Sequence, residues 1–307
     1  MKKARVIYNP TSGRELFKKE LPEVLRRFEE AGYETSAHAT TCEGDATDAA
    51  KYAVTNKFDL IIAAGGDGTI NEVLHGIAEQ DYRPQLAVIP VGGTTNDFAR
   101  ALGIPRDIQK AVSVILEHHI RKLDIGKVNH HYFMNIAGGG GKLTELTYEV
   151  PSKLKTMLGQ LAYYLKGIEM LPSLKPINVQ IEYDGKFFED EIMLFLVANT
   201  NSVGGFEKIA PEAKMDDGYF DLVILRKINL AEFVRIASLA TRGAHLEDKN
   251  IFYTKANRIK VHTDEKMQLN LDGEFGGLLP GGEFVNLYQH IEFFVSEQFI
   301  EKQAEIK

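Results

Sequence analysis

Leu60-Ile61-Ile62-Ala63-Ala64-Gly65-Gly66-Asp67-Gly68-Thr69-Ile70-Asn71-Glu72 holds the sharpest change of pattern in the chain. The unbroken apolar run from Leu60 to Ala64 reads as a strand buried on both faces, because a half-exposed strand would alternate. From Ile70 to Ala78 apolar residues recur at helical spacing, so the chain turns from strand to helix across Gly65–Thr69. Glycines there let the backbone approach an anion, and a helix start offers free N–H groups. A tight connection with no ligand would use the same residues, so spacing alone leaves both readings open.

The pattern repeats outward from this stretch. Arg5–Tyr8, Glu34–Ala39 and Leu86–Pro90 read as strands; Phe17–Ala31, Asp45–Thr55, Asp97–Leu102 and Ile108–His118 read as helices. In the first helix Leu21, Val24, Leu25 and Phe28 fall on one face, and Gly32 stops it. Alternating strands and helices predict an α/β domain with a mostly parallel sheet, whose ligands bind beyond the carboxyl ends of the strands. After Asp124 the character changes. Val128–Ile136, Ile177–Tyr183, Glu191–Val197, Asp221–Leu225, Arg258–Val261 and Met267–Leu271 are strand-like, with turns at Asp184-Gly185 and Asp217-Gly218. Helical segments interrupt near Lys155–Leu171 and Leu230–Thr241. The expectation is two domains, 1–123 and a β-rich, sandwich-like 124–289, with the last segment, about 290–307, free to rejoin the first. A cleft between them is the expected place for chemistry.

Composition narrows the function class. With 307 residues, 44% hydrophobic and 26% charged, the chain is globular, and its net charge of -7 argues against a general nucleic-acid binder. The single cysteine, Cys42, excludes an internal disulfide and fits a reducing compartment. The apolar run after Met1 is too short for a signal peptide and no stretch is long enough to span a bilayer, so a cytoplasmic or peripheral protein is expected. The adjacent pairs His118-His119 and His130-His131 diverge in direction and read as surface residues, not zinc ligands.

Two further polar turns follow strands: Asn9-Pro10-Thr11-Ser12-Gly13 and Gly92-Gly93-Thr94-Thr95-Asn96-Asp97. Three such turns at equivalent strand ends weigh more than any one. No segment matches the P-loop pattern; Gly138-Gly139-Gly140-Gly141-Lys142 comes nearest, but Leu143 stands where a metal-binding hydroxyl is needed. Together with Pro211-Glu212-Ala213-Lys214-Met215-Asp216-Asp217-Gly218-Tyr219-Phe220 and Asp272-Gly273-Glu274, the turns resemble the diacylglycerol kinase catalytic domain. The resemblance runs along nearly the whole chain, is nearest to the soluble bacterial members, and extends to their relatives, the sphingosine kinases. Gly-Gly-Asp-Gly alone also occurs in NAD kinases and phosphofructokinases; the ordered set is specific.

That resemblance implies transfer of the γ-phosphate of ATP to diacylglycerol, giving phosphatidic acid in phospholipid turnover, with Mg²⁺. It implies nucleotide contacts at Asn9, Pro10, Thr11, Ser12, Gly13, Thr40, Gly66, Asp67, Gly68, Thr69, Ile70, Asn71, Glu72 and Thr94. Gly92-Gly93 and Gly138–Gly141 each carry one glycine more than the family pattern, which bears on the backbone at Thr94. Taken singly, Asp67, Asp97, Asp124, Asp216, Asp217, Asp272 and Glu274 each flank an expected turn, where acids are caps more often than catalysts. The resemblance points to Asp217, with the carbonyls of Lys214 and Tyr219, as a Mg²⁺ site of hard oxygen donors. Water links from it would reach Asp67, Asp97 and Asp124. It likewise points to Glu274, presented by the turn after Met267–Leu271, as general base.

Pro151–Lys175 mixes Lys153, Lys155, Lys166 and Lys175 with leucines and tyrosines, as a membrane-surface segment would; a helix packed on the second domain has the same composition. Arg14, Lys18 and Lys19 could extend a basic face toward anionic lipid, with Arg14 and Lys166 touching the bilayer together. A homodimer paired across β edges is a further open possibility. The rivals are a kinase of sphingoid bases or of phosphatidylglycerol-like lipids, an NAD kinase, and a catalytically silent nucleotide sensor that binds membranes.

Overall fold

The computed structural model describes residues 1–92, 96–141, 175–201 and 208–305. They form two units: residues 1–125, 215–217 and 287–307, and residues 126–214 and 218–286. Met215–Asp217, which fall inside the second expected range, therefore cluster with the first unit.

In the first unit the order is β1 (Lys2–Tyr8), α1 (Leu16–Glu30), β2 (Tyr33–Ala39), α2 (Asp45–Thr55), β3 (Leu60–Gly65), α3 (Asp67–Ile77), β4 (Gln85–Pro90), α4 (Asp97–Ala101) and α5 (Ile108–Leu116). The strands pair in parallel in the order β4-β3-β1-β2. Every residue of β3 is buried, as the unbroken apolar run requires of a strand covered on both faces. Burying each of its large aliphatic side chains contributes about 1.5–3 kcal/mol, enough to fix this strand at the centre. α2 turns Ala46, Ala49, Ala50 and Ala53 inward against α3, and Gly76 of α3 comes so close that a Cβ there would lie 2.5 Å from the Thr47 carbonyl. α3 starts at Asp67, earlier than the apolar spacing suggests, because Gly66 takes the extended cap position.

The chain leaves the first unit through β5 (Ile120–Val128). The second unit holds β6 (His131–Phe133), β7 (Ile136–Gly140), β8 (Ile177–Tyr183), β9 (Lys186–Ala198), β10 (Phe220–Arg226), α6 (Leu230–Ala240), β11 (Ile251–Ala256), β12 (Arg258–Leu271) and the first part of β13 (Glu274–Phe294). Among the described residues the strand pairings of this unit run antiparallel: β5–β6, β7–β9, β7–β12, β8–β9, β8–β12, β9–β10, β10–β11 and β12–β13. β8 and β7 lie end to end between β9 and β12, each pairing with a different half of both. Phe133, Phe195, Phe220 and Phe284 fill the core, with ring centroids 5.4 Å apart for Phe133–Phe220 and 5.8 Å for Phe195–Phe284.

Several sequence expectations need correction here. Val128–Ile136 is not one strand, because Asn129 takes a left-handed turn (φ 53°) between β5 and β6. Arg258–Val261 and Met267–Leu271 are two ends of the single strand β12. β11 and the glycine-rich start of β13 were not anticipated. Beyond Asn286, β13 belongs to the first unit; Phe293 pairs with Leu86 of β4, and α7 (Glu297–Glu305) follows. The helix expected over Lys155–Leu171 lies outside the described residues.

Candidate functional site

In the first unit four connections meet at the carboxyl ends of the parallel strands. Asn9 N–H donates to the Ala64 carbonyl (3.2 Å), Thr40 N–H to Tyr8 (2.9 Å) and Val91 N–H to Gly65 (3.1 Å). The turns after β1 and β4 touch backbone to backbone. A Cβ on Gly92 (φ 68°) would stand 2.5 Å from the Gly13 nitrogen, so only glycine permits this approach. Asn9 closes its own turn by accepting from the Thr11 amide (3.0 Å) and hydroxyl (2.8 Å). Thr94 lies outside the described residues, as does the side chain of Arg14.

A cavity of about 300 Å³ opens at the connections after β1, β2 and β3, lined by Asn9, Thr11, Thr40, Thr41, Cys42, Glu43, Ala46, Thr69 and Glu72. Asn9, Thr11, Thr40, Thr69 and Glu72 are residues the sequence pointed to. Thr41, Cys42, Glu43 and Ala46 were missed; the signal was there, since the β2–α2 connection also leaves a strand end. Ile70 is fully buried, so only its backbone faces the turn, and its N–H donates to Gly66 (3.2 Å).

The motif acids hold backbone amides. Asp67 accepts from the N–H groups of Asp97 (3.0 Å) and Phe98 (3.2 Å), capping α4 from α3. Burial raises the Asp67 pKa above the usual carboxylate range, while these two amides pull it back down. Glu72 accepts from Gly44 and Ala46 N–H (both 3.1 Å) and so caps α2 in the same manner. The cavity wall between these anchors is pinned by Asp45. It accepts from His38 (2.8 Å), the Thr41 amide (2.7 Å) and the Thr41 hydroxyl (2.9 Å). The His38 bond, then the two Thr41 bonds, hold the Asp45 carboxyl below its ordinary pKa. Asp97 pairs with Arg100. Asp124, fully buried, accepts the Gln289 N–H (2.7 Å) and donates its own to the Met215 carbonyl (2.7 Å).

Around the Lys214–Tyr219 turn, donors engage three carbonyls. Met215 accepts from Asp124 (2.7 Å), Asp216 from Gln289 Nε2 (3.4 Å) and Gly218 from Asn257 Nδ2 (2.8 Å). The expected Mg²⁺ donors are the Lys214 and Tyr219 carbonyls and the Asp217 carboxylate, all in this turn. An oxygen-only set of this kind fits a hard cation. Among the described residues no three His, Cys, Asp or Glu side chains cluster as a metal site.

In the second unit Asp272 (φ 52°) and Gly273 (φ 95°) make the left-handed turn between β12 and β13. Asp272 accepts the amides of Met134 (2.7 Å), Asn135 (2.7 Å) and Ile136 (3.0 Å). Glu274, opposite Leu271, is exposed. The glycine run Gly138–Gly141 is no anion loop: Gly138, Gly139 and Gly140 form most of β7 and pair with β9.

Comparison with known proteins agrees with this organisation. Residues 3–128 match the diacylglycerol kinase catalytic domain, and residues 146–286 match the YegS C-terminal NAD kinase beta sandwich-like domain. A diacylglycerol kinase of Bacillus subtilis is 69% identical over 303 residues, covering 98% of this chain and 99% of that protein. The chain belongs to the diacylglycerol kinase family. A Staphylococcus carnosus family member is 55% identical over 95% of both chains. A crystal structure of a Bacillus anthracis diacylglycerol kinase superposes with a TM-score of 0.77 at 29% identity, covering 97% of this chain and 98% of that one. An Archaeoglobus fulgidus NAD kinase solved with ATP shares the fold (TM-score 0.52, 15% identity, 99% and 98% coverage). The family is thus one of lipid kinases on an NAD-kinase-like scaffold. Among the described residues no helix is long and apolar enough to cross a membrane.

Proposed function

We propose that this protein moves the γ-phosphate of ATP to the free hydroxyl of diacylglycerol, forming phosphatidic acid, while attached peripherally to an anionic membrane surface. The observation that carries the reading is the convergence of the turns after β1, β2 and β3 around one polar cavity, in a chain 69% identical to a diacylglycerol kinase. Asn9–Gly13, Thr40, Gly66–Glu72 and Thr94 would hold the nucleotide, mainly through backbone N–H groups and hydroxyls that suit phosphate oxygens. Asp67 and Glu72 keep that surface in shape by capping α4 and α2. Mg²⁺ at Asp217 and the carbonyls of Lys214 and Tyr219 would supply positive charge of the kind phosphoryl transfer needs.

Glu274 is the proposed base. It is exposed, on a hairpin tip, whereas Asp67, Glu72, Asp124 and Asp272 all hold backbone N–H groups. A hydroxyl loses its proton late, as the new P–O bond forms, so the carboxylate acts chiefly in the transition state. Glu274→Gln should lower kcat by about 10²-fold or more and leave ATP affinity nearly unchanged. The direct test is ATP-dependent phosphatidate formation in mixed micelles, with and without Mg²⁺, alongside sphingosine and phosphatidylglycerol as acceptors. Phosphorylation of one of those lipids in place of diacylglycerol would refute the substrate assignment.

A further inference from the structure

We infer that Asp272 is a positioning residue that sets the place of Glu274, by clamping the tip of the β12–β13 hairpin to the backbone of Met134–Ile136. The inference rests on Glu274 as base.

The clamp is dense. Asp272 Oδ2 accepts from Met134 N–H, Oδ1 accepts from both Asn135 and Ile136, and the Asp272 N–H donates to the Ile136 carbonyl (2.9 Å). Four bonds thus join one residue to three consecutive residues of another segment, three of them converging on the Asp272 carboxyl group. Across the turn, Asn270 Oδ1 accepts the Gly273 N–H (2.9 Å). The anchor is itself held from its far side. The Asn135 carbonyl accepts the amides of Asn199 (2.8 Å) and Thr200 (3.2 Å), and Asn199 Nδ2 donates to the Met134 carbonyl (2.9 Å). Asn135, Asn199 and Thr200 are all buried, which shields the network from water.

Apolar packing cannot do this work at the tip. Phe275 is 66% exposed and Leu278 is 55% exposed, with two glycines between them. The strand register also shifts between Leu269 and Asn270. A strand end with few buried side chains is free to fray, so the polar clamp is what fixes Glu274, two residues along. An amide at position 272 would turn an N–H donor toward amide donors, disrupting the clamp with little change in size.

The test is a double-mutant cycle read by steady-state turnover of diacylglycerol with radiolabelled ATP. Asp272→Asn should lower kcat by about 30-fold or more, since small displacements of a catalytic group cost up to about 10²-fold, while the KM for ATP stays within about twofold. On the Glu274→Gln background the same change should cost less than about threefold, because residues acting through one group are not additive. Asn270→Ala, which removes only the bond across the turn, should show the same non-additivity with a smaller loss, and carries the cycle if Asp272→Asn does not fold. Equal fold-losses on both backgrounds, or full activity of both single variants, would overturn the positioning role. Full activity of Glu274→Gln would instead overturn the base assignment itself, so the two failures are told apart.

Discussion

Two glycine-rich stretches in this chain look alike as text and do opposite things. Gly65-Gly66-Asp67-Gly68 carries β3 into α3, and at Gly68 an added Cβ would meet nothing within 4 Å. Gly138–Gly140 lie in β7 and Gly141 directly follows it; a Cβ at Gly139 would press to 2.9 Å on the Phe195 ring and one at Gly141 would sit 1.6 Å from the Lys175 carbonyl oxygen. In the first case a Cβ at Gly65 would meet Thr69 Oγ1 at 2.5 Å, while Gly68 leaves open space beside the first turn of α3. In the second the missing side chains let the chain itself come close. A run of glycines therefore marks close approach, and only its surroundings say whether chain or ligand approaches.

That contrast can be broken by substitution. Gly141→Ala should be the most damaging, costing about 3 kcal/mol or more by strain and lost pairing, seen as a lowered thermal midpoint by circular dichroism. Gly68→Ala should leave the fold intact and even stabilise α3 slightly, by up to about 1 kcal/mol, since alanine is the better helix former. Its effect should fall on nucleotide affinity instead, measured as a rise in the KM for ATP. If Gly68→Ala destabilised the protein as much as Gly141→Ala, the distinction between the two runs would fail.

The two acids beside the cavity sharpen the picture at smaller scale. Asp45 has a lowered folded-state pKa, so its contribution to stability is present above the unfolded pKa and is lost as pH falls through the folded one. Asp67 has a raised pKa, so ionising it disfavours the fold as pH climbs from the unfolded pKa through the folded value. Asp45→Asn should flatten the acid side of a melting-temperature profile below the usual carboxylate range. Asp67→Asn should flatten the profile just above it. Identical profiles for both variants would contradict the opposite shifts.

Legibility followed the range of the interactions. β3, α3 and the parallel sheet were readable because apolar periodicity is local, and the β-rich, sandwich-like character of the second unit showed through its short strands and Asp-Gly turns. The first residues of β13 were not readable: Phe275-Gly276-Gly277-Leu278 has poor strand composition, and it is a strand because β12 pairs with it. The capping role of Asp67 was equally hidden, since the amides it holds lie 30 and 31 residues away. The sequence offered a list of acids at turns. It took the folded backbone to separate those committed to amides from the exposed Glu274.

The last strand and helix carry one more implication. Phe293 stacks edge-on against Phe98 at 5.1 Å, Ser296 N–H donates to Leu102 (3.0 Å), and Phe299 is buried with them. During synthesis the ribosome delivers these residues only after the whole second unit has emerged. Until the segment after Asn286 arrives, the cavity-bearing sheet therefore waits without the strand end that pairs with β4.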